Sequence, residues 1–294
     1  MFILAGNLLL WLLSFMFIYF IHNTTPTLAQ PDFLSYYCEN AANYSVNSAY
    51  QQNLNSLSAL FTTNNPYGFY NLSTGQGNNT VNSVALCRGD INPDVCLRCL
   101  IDSFVKLRQL CPNQKEAIGY YDYCMLRYSN DVILGSIRLK FYVYLANPQN
   151  AMDIDRFNGA LGPLMKDLRV NASAGGPLRK FASGSTTGPD FSTIYGLVQC
   201  TPGLSEQDCD SCLEDAINRI AQLFNGKIGG RMLLPMCTFR YENYRFFNQS
   251  AAVIQPSAPP NLPPIARPSA PPGMNLSVST QLCVNLCLII KSIN

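Results

Sequence analysis

The chain has 294 residues, only 13 % of them charged, and a formal net charge of +2 without any Lys/Arg cluster. That charged share is about half the usual one. It argues against nucleic acid or anionic lipid as partners, since both are gripped through many closely spaced cations.

The apolar run at 8–21, followed by small residues at Thr27 and Ala29, reads as a secretory h-region with a cleavage site before Gln30. A signal peptide over 1–29 is predicted, although the n-region lacks Lys and Arg and the run also suits an uncleaved anchor. Cleavage removes Trp11 and His22, the only tryptophan and the only histidine. The mature chain then has no imidazole for a Ser/His/Asp triad, a Cys/His dyad, a His-ligated zinc or a histidine pH switch. All twelve cysteines lie beyond the signal. An even number in an oxidising compartment predicts disulfides rather than CxxC zinc sites, so no metal and no cofactor are expected. Sequons at Asn43, Asn71, Asn78, Asn171, Asn248 and Asn275 predict glycosylation.

Cys87, Cys96, Cys99 and Cys124 recur as Cys200, Cys209, Cys212 and Cys237, each 113 residues later, and Leu100, Arg127 and Tyr128 recur as Leu213, Arg240 and Tyr241. One module is therefore written twice. Tyr50, Leu54, Leu57 and Phe61 fall on one helical face and match Phe157, Leu161, Leu164 and Leu168, so each copy opens with an amphipathic helix. Cys209, Cys212, Ala216, Ile217, Ile220 and Leu223 form a second helical stripe, echoed by Cys96, Cys99, Leu100 and Leu107. The segments YYDYCMLRY and RMLLPMCTFRY read as strands, with SIRLKFYVYL and YRFF as further candidates. The fold class is α+β: two tandem small domains, each two helices packed on an antiparallel sheet and stapled by disulfides. Boundaries fall at 30–145 and 146–250.

Cys38 and Cys111 belong to the first copy only, with Phe224 at the position where Cys111 would repeat. Two cysteines missing together predict a bond between Cys38 and Cys111. The remaining four in each copy leave three pairings open, of which one joining Cys96 to Cys99 is disfavoured by helix geometry. Residues 251–294 form a proline-rich stalk, with eight prolines over 256–272, and an unstructured tail. The tail holds an apolar run too short to span a bilayer, and Cys283 and Cys287, placed to link chains if they are used.

This cysteine grammar, with IYGLVQC and GGRMLLPMCTFRYENYRFF, resembles the plant cysteine-rich repeat family built on the ginkbilobin-homologous (salt-stress/antifungal) domain over about residues 31–250. The tandem copies with a proline stalk resemble the ectodomain of cysteine-rich receptor-like kinases. No HRD or DFG segment is present, which is similar to secreted two-domain members or to a truncated receptor ectodomain. The resemblance implies the pairings Cys87–Cys96, Cys99–Cys124, Cys200–Cys209 and Cys212–Cys237. It also implies mannose binding through an Asn, an Arg and a Glu. Arg231 and Glu242 match that motif in the second copy, with Asn147 or Asn150 able to approach, whereas Ile118 and Ser129 occupy the matching places in the first. A guanidinium and a carboxylate can each take two neighbouring hydroxyls, which is sound chemistry for a sugar. The competing reading of Arg231 and Glu242 is a structural ion pair or a solvated strand edge.

No enzyme is expected: the acid pairs Asp208/Asp210 and Asp153/Asp155 have the residue types of a glycosidase but the spacing of solvated loop acids. The reading is a secreted, apoplastic, non-enzymatic binding protein of stress or defence. Its partner is an extracellular glycan or a receptor or other cell-surface protein. The tyrosine-rich segment 120–128 is one candidate surface for association with receptors or with itself.

Overall fold

The computed structural model describes residues 31–62, 65–135 and 141–248, with Trp11 and Met16. The remainder of the predicted signal segment, the stalk, Asn275, Cys283 and Cys287 lie outside the described residues.

Two five-stranded antiparallel sheets follow one another. The first holds β1 (Phe33–Asn43), β2 (Phe69–Thr74), β3 (Val81–Cys87), β4 (Gln114–Tyr121) and β5 (Cys124–Ser129), in the order β1-β4-β5-β3-β2. The second holds β6 (Val143–Ala146), β7 (Lys180–Thr187), β8 (Thr193–Cys200), β9 (Gly230–Leu233) and β10 (Cys237–Glu242), in the order β6-β9-β10-β8-β7. The order is the same in both, and so is the register: Cys87 lies opposite Cys124, and Cys200 opposite Cys237.

In the first copy α1 (Ala49–Asn55) tightens into a 3-10 turn over Ser56–Thr62, and α2 (Pro93–Leu110) follows β3. In the second, α3 (Ile154–Ser173), α4 (Glu206–Asn218) and the short α5 (Ile220–Leu223) take the same places. Local chemistry sets the helix starts. Asn92, Asp153 and Ser205 each accept a backbone N–H of the first turn, and Pro93 supplies a preset φ where no donor is needed. At the end of α3, Lys180 donates to the carbonyls of Ser173 and Gly175, satisfying oxygens the helix leaves unpaired.

The cysteines explain why α2 and α4 lie where they do. Two residues three apart share a helix face, and the opposed cysteines of two paired strands lie directly beneath them. The bonds Cys87–Cys96 and Cys99–Cys124 anchor α2 to β3 and β5, and Cys200–Cys209 and Cys212–Cys237 anchor α4 to β8 and β10. A fifth bond, Cys38–Cys111, ties edge strand β1 to the end of α2. In the second copy Ala146 faces Gly230 as Cys38 faces Ala117. Beside it Phe224 fills the space as a buried ring against Tyr144, Phe239 and Tyr241.

Several sequence expectations need correction. The segment YRFF is no strand: residues 243–248 run as bends and coil. Of SIRLKFYVYL, residues 143–145 enter β6, whose pairing with β9 begins at Val143, residues 141–142 lie before the strand, and residues 136–140 lie outside the described residues. The stripe through Ile217, Ile220 and Leu223 is not one helix. The chain breaks at Arg219, and these three are only partly buried.

Removing both cysteines of the 73-residue link, as Cys38→Ser with Cys111→Ser, should lower the stability of the first domain by about 4 kcal/mol from loop entropy. Removing Cys200 and Cys209, nine apart, should cost about 3 kcal/mol. Urea unfolding midpoints of the two double variants, read at a common m-value, check the ranking.

Candidate functional site

Side-chain alternation places the site. In β4, Ala117 and Tyr121 face the helices of the first core, while Ile118 and Tyr120 face the other way, into a cluster with Leu233 of the second sheet. In β10, Cys237, Phe239 and Tyr241 face the second core, which leaves Thr238, Arg240 and Glu242 on the opposite face. The helix-free faces of the two sheets are thus turned toward each other. Close approach is built in: a Cβ on Gly89 of the first copy would run into the Phe181 ring of the second. Gln199 Nε2 donates to the Cys87 carbonyl across the gap at 2.9 Å.

At the rim of this interface Asp122, in the β4–β5 turn, gathers three guanidiniums. Its Oδ1 accepts from Arg231 on β9 at 2.5 Å and from Arg240 on β10 at 3.1 Å, and its Oδ2 from Arg88 at 3.4 Å. Arg88 also grips Asp90 through two hydrogen bonds, of 2.7 and 3.0 Å. Arg240 grips Glu242 Oε1 through Nε and Nη2, at 3.2 and 3.1 Å. Three cations and three anions balance. Phe246 covers both outer arginines, 4.2 Å from Arg240 and 5.9 Å from Arg88 to the ring centroid, and its carbonyl accepts from Arg88. Burial pulls the pKa of Arg231 below its ordinary value, and the Asp122 charge opposes that shift.

Arg231 and Glu242 do not pair with each other. Arg231 reaches across to Asp122, and Glu242 is held by Arg240 and by Asn147 Nδ2 at 3.3 Å. The backbone of Asn150 forms an isolated antiparallel bridge with that of Lys227. The fit is tight enough that a Cβ on Gly229 would collide with the Glu242 carboxylate. Ile118 and Ser129 are both buried.

Asp208 bonds Ser205 at a helix start, Asp210 pairs with Arg169, Asp153 caps α3 and Asp155 lies in its first turn, so each acid of the imagined pairs has its own structural partner or place. The tyrosine-rich segment is no open surface either: Tyr121 and Tyr128 belong to the first core and Tyr120 to the layer between the sheets. Among the described residues no His/Cys/Asp/Glu group could hold a metal ion, and no helix is long and apolar enough to cross a membrane. Asn43, Asn71, Asn78, Asn171 and Asn248 are all exposed.

Reasoning from the sequence missed Asp122, Arg88 and Arg240 as a group. A signal was present. At the offset of 113, Asp122 falls on Pro235, Arg88 on Thr201 and Ile118 on Arg231, so charge differs between the copies where the sheets meet. Asp122→Asn should destabilise the chain by about 3–5 kcal/mol, because it strands cations in a largely buried setting. Combining it with Arg231→Met should recover part of the loss, and a double-mutant cycle on thermal unfolding measures how much.

The family model described as salt stress response/antifungal matches residues 37–131 and again 146–244. Among curated proteins, the chain is 41 % identical over 239 residues to cysteine-rich receptor-like protein kinase 25 of Arabidopsis thaliana, covering 79 % of this chain but 35 % of that protein. It is 39 % identical over 218 residues to an antimicrobial ginkbilobin-2-like protein of Castanea crenata, covering 73 % and 89 %. The chain therefore spans about a third of the length of the receptor kinase. Among solved structures, the tandem DUF26 ectodomains of the Arabidopsis thaliana cysteine-rich receptor-like proteins PDLP8 and PDLP5 superpose with TM-scores of 0.62 and 0.60, at 20 % and 25 % identity. Each match covers 72 % of this chain and 98 % of the other. With both copies matched by the family model and the same strand order in each, the chain belongs to the salt stress response/antifungal family as a tandem two-domain member.

Proposed function

We propose that the protein is a non-enzymatic binding module of the apoplast, acting in stress or defence by associating with another extracellular or cell-surface protein. The observation that carries this reading is the placement of Arg231. Its guanidinium is tied to Asp122 of the other domain and its side chain is only 11 % exposed, which argues against its use on a sugar. The relatives named receptor-like kinases and the ectodomain fold support a role in association. Edge strand β6 and the residue before it leave Tyr142, Tyr144 and Leu145 exposed, a row of apolar groups beside unpaired backbone of the kind a protein partner covers.

A second reading, mannose binding, draws on one contact: Asn147 donates to Glu242 on the strand next to Arg231. The secreted chain should give no mannose-type signal on a glycan array, and a saturable response against a panel of plant receptor ectodomains. A mannose signal that Asn147→Ala removes without changing the unfolding midpoint would establish the lectin instead.

A further inference from the structure

The β7–β8 hairpin ends in a tip that holds an aromatic ring out to solvent. Phe191 is 99 % exposed, and Asp190 and Phe191 take φ of 53° and 58°, in the left-handed region. Bulky side chains rarely adopt that conformation, and it persists only where the surrounding chain enforces it. Here the Ser192 amide donates to the Pro189 carbonyl at 3.0 Å, the Ser192 hydroxyl to the same oxygen at 2.7 Å, and the Gly188 amide to the Ser192 carbonyl at 2.8 Å. The ring buries almost nothing in return, so the stability of the fold does not account for it.

The first copy shows what the same hairpin looks like without such a ring. At the offset of 113, Asp190 falls on Gly77 and Phe191 on Asn78. Gly77 takes a φ of 54° without strain, and Asn78 is the exposed asparagine of a sequon. At the same offset Gly184 falls on Asn71, the exposed sequon asparagine of edge strand β2. Both glycan acceptors of the first hairpin are therefore absent from the second, and a bare phenylalanine stands in place of one. The sequon on α3, at Asn171, lies in the last turn of that helix, at the far end from Arg156 in its first turn.

Arg156 pairs with Asp190 at 3.7 Å and with Asp153 at 3.9 Å, which brings the tip to the start of α3. On either side of Asp153, Met152 is 98 % exposed and Ile154 41 % exposed. Phenylalanine, methionine and arginine are residue types that concentrate at protein contacts. Three carboxylates, Asp153, Asp155 and Asp190, lie here against Arg156 and against Lys227, whose ammonium donates to the Pro148 carbonyl beside the Gly226 on which Ile154 packs. An acidic surround is repelled by the anionic face of a membrane and matches a cationic protein rim.

We propose that Phe191, with Met152 and Ile154, is a docking knob that enters an apolar pocket with a basic rim on an extracellular or cell-surface protein. The knob deepens the protein-association reading and rests on it, but β7 is the sheet edge opposite β6, so the two contacts can be told apart. A ring held ready by its loop loses little freedom on binding.

The test measures the disulfide-intact secreted chain against the panel of plant receptor ectodomains by surface plasmon resonance, beside Phe191→Ala, Phe191→Gly and a Tyr142→Ser, Tyr144→Ser double variant. Both Phe191 variants should weaken the response at least about ten-fold. Phe191→Gly should also hold or raise the thermal midpoint, since glycine takes a positive φ freely, whereas loss of a residue that supports the fold would lower it. Asp155→Asn with Asp190→Asn should weaken the response about three-fold at low salt and flatten its salt dependence. Salt dependence equal to that of the parent chain would overturn the basic rim. A response that survives both Phe191 variants and is lost in the tyrosine variant would keep the association reading and sink the knob. No response from any ectodomain would sink both. Phe191-dependent binding to vesicles of about one quarter phosphatidylserine would make the occupant a lipid surface, and a Phe191-dependent dimer in sedimentation would make it a second copy. Either would overturn the proposed occupant.

Discussion

One carboxylate fixes how the two halves of this protein meet. Asp122 is reached by guanidiniums from β9, from β10 and from the residue after β3, and two of those three come from the other domain. Desolvating so many charges costs about as much as their attraction returns, so the cluster adds little to the net stability. What it adds is direction. A sheet rotated or shifted within the interface would leave buried cations without anions, and a purely apolar contact through Ile118, Tyr120 and Leu233 would not impose that penalty.

The same constraint separates two kinds of surface. The helices pack on the far faces of the two sheets, whereas Asp122, Arg88 and Arg231, which have no like counterpart in the other copy, are drawn into the junction. Divergence of the facing residues, with retention of the cores, turns two similar modules into one asymmetric body. Phe224 and Ala146 mark a parallel divergence inside the second core, where aromatic packing stands in the place of the Cys38–Cys111 link.

Much of the fold was legible because it repeats. The offset of 113 placed the module twice, and the stripe Tyr50, Leu54, Leu57, Phe61 marks a buried face even though its second half is 3-10 rather than α. Strands such as β2, with FYNLST, and β7, with KFASGSTT, were not legible, since short polar segments acquire strand character only by pairing with a neighbour. YRFF misled for the opposite reason. Its aromatic residues have strand propensity, but Phe246 lies on two arginines and Phe247 against Tyr195, so their burial comes from a clasp and not from a ladder. The site was half legible. Arg231 and Glu242 could be singled out by resemblance, yet Asp122, the partner of Arg231, is more than a hundred residues away, and no local pattern announces a contact that exists only once two domains have docked.

That clasp has a mechanical meaning. After β10 the chain does not leave from the second domain's far edge. It turns back, so that the Phe246 carbonyl accepts from Arg88 and the Asn248 amide donates to Asp90, both on the first domain. Tension applied to whatever follows Asn248 is therefore borne first by groups of the first domain, near the middle of the molecule. The load does not begin by peeling β10 from its sheet, and both domains feel a pull on one end together.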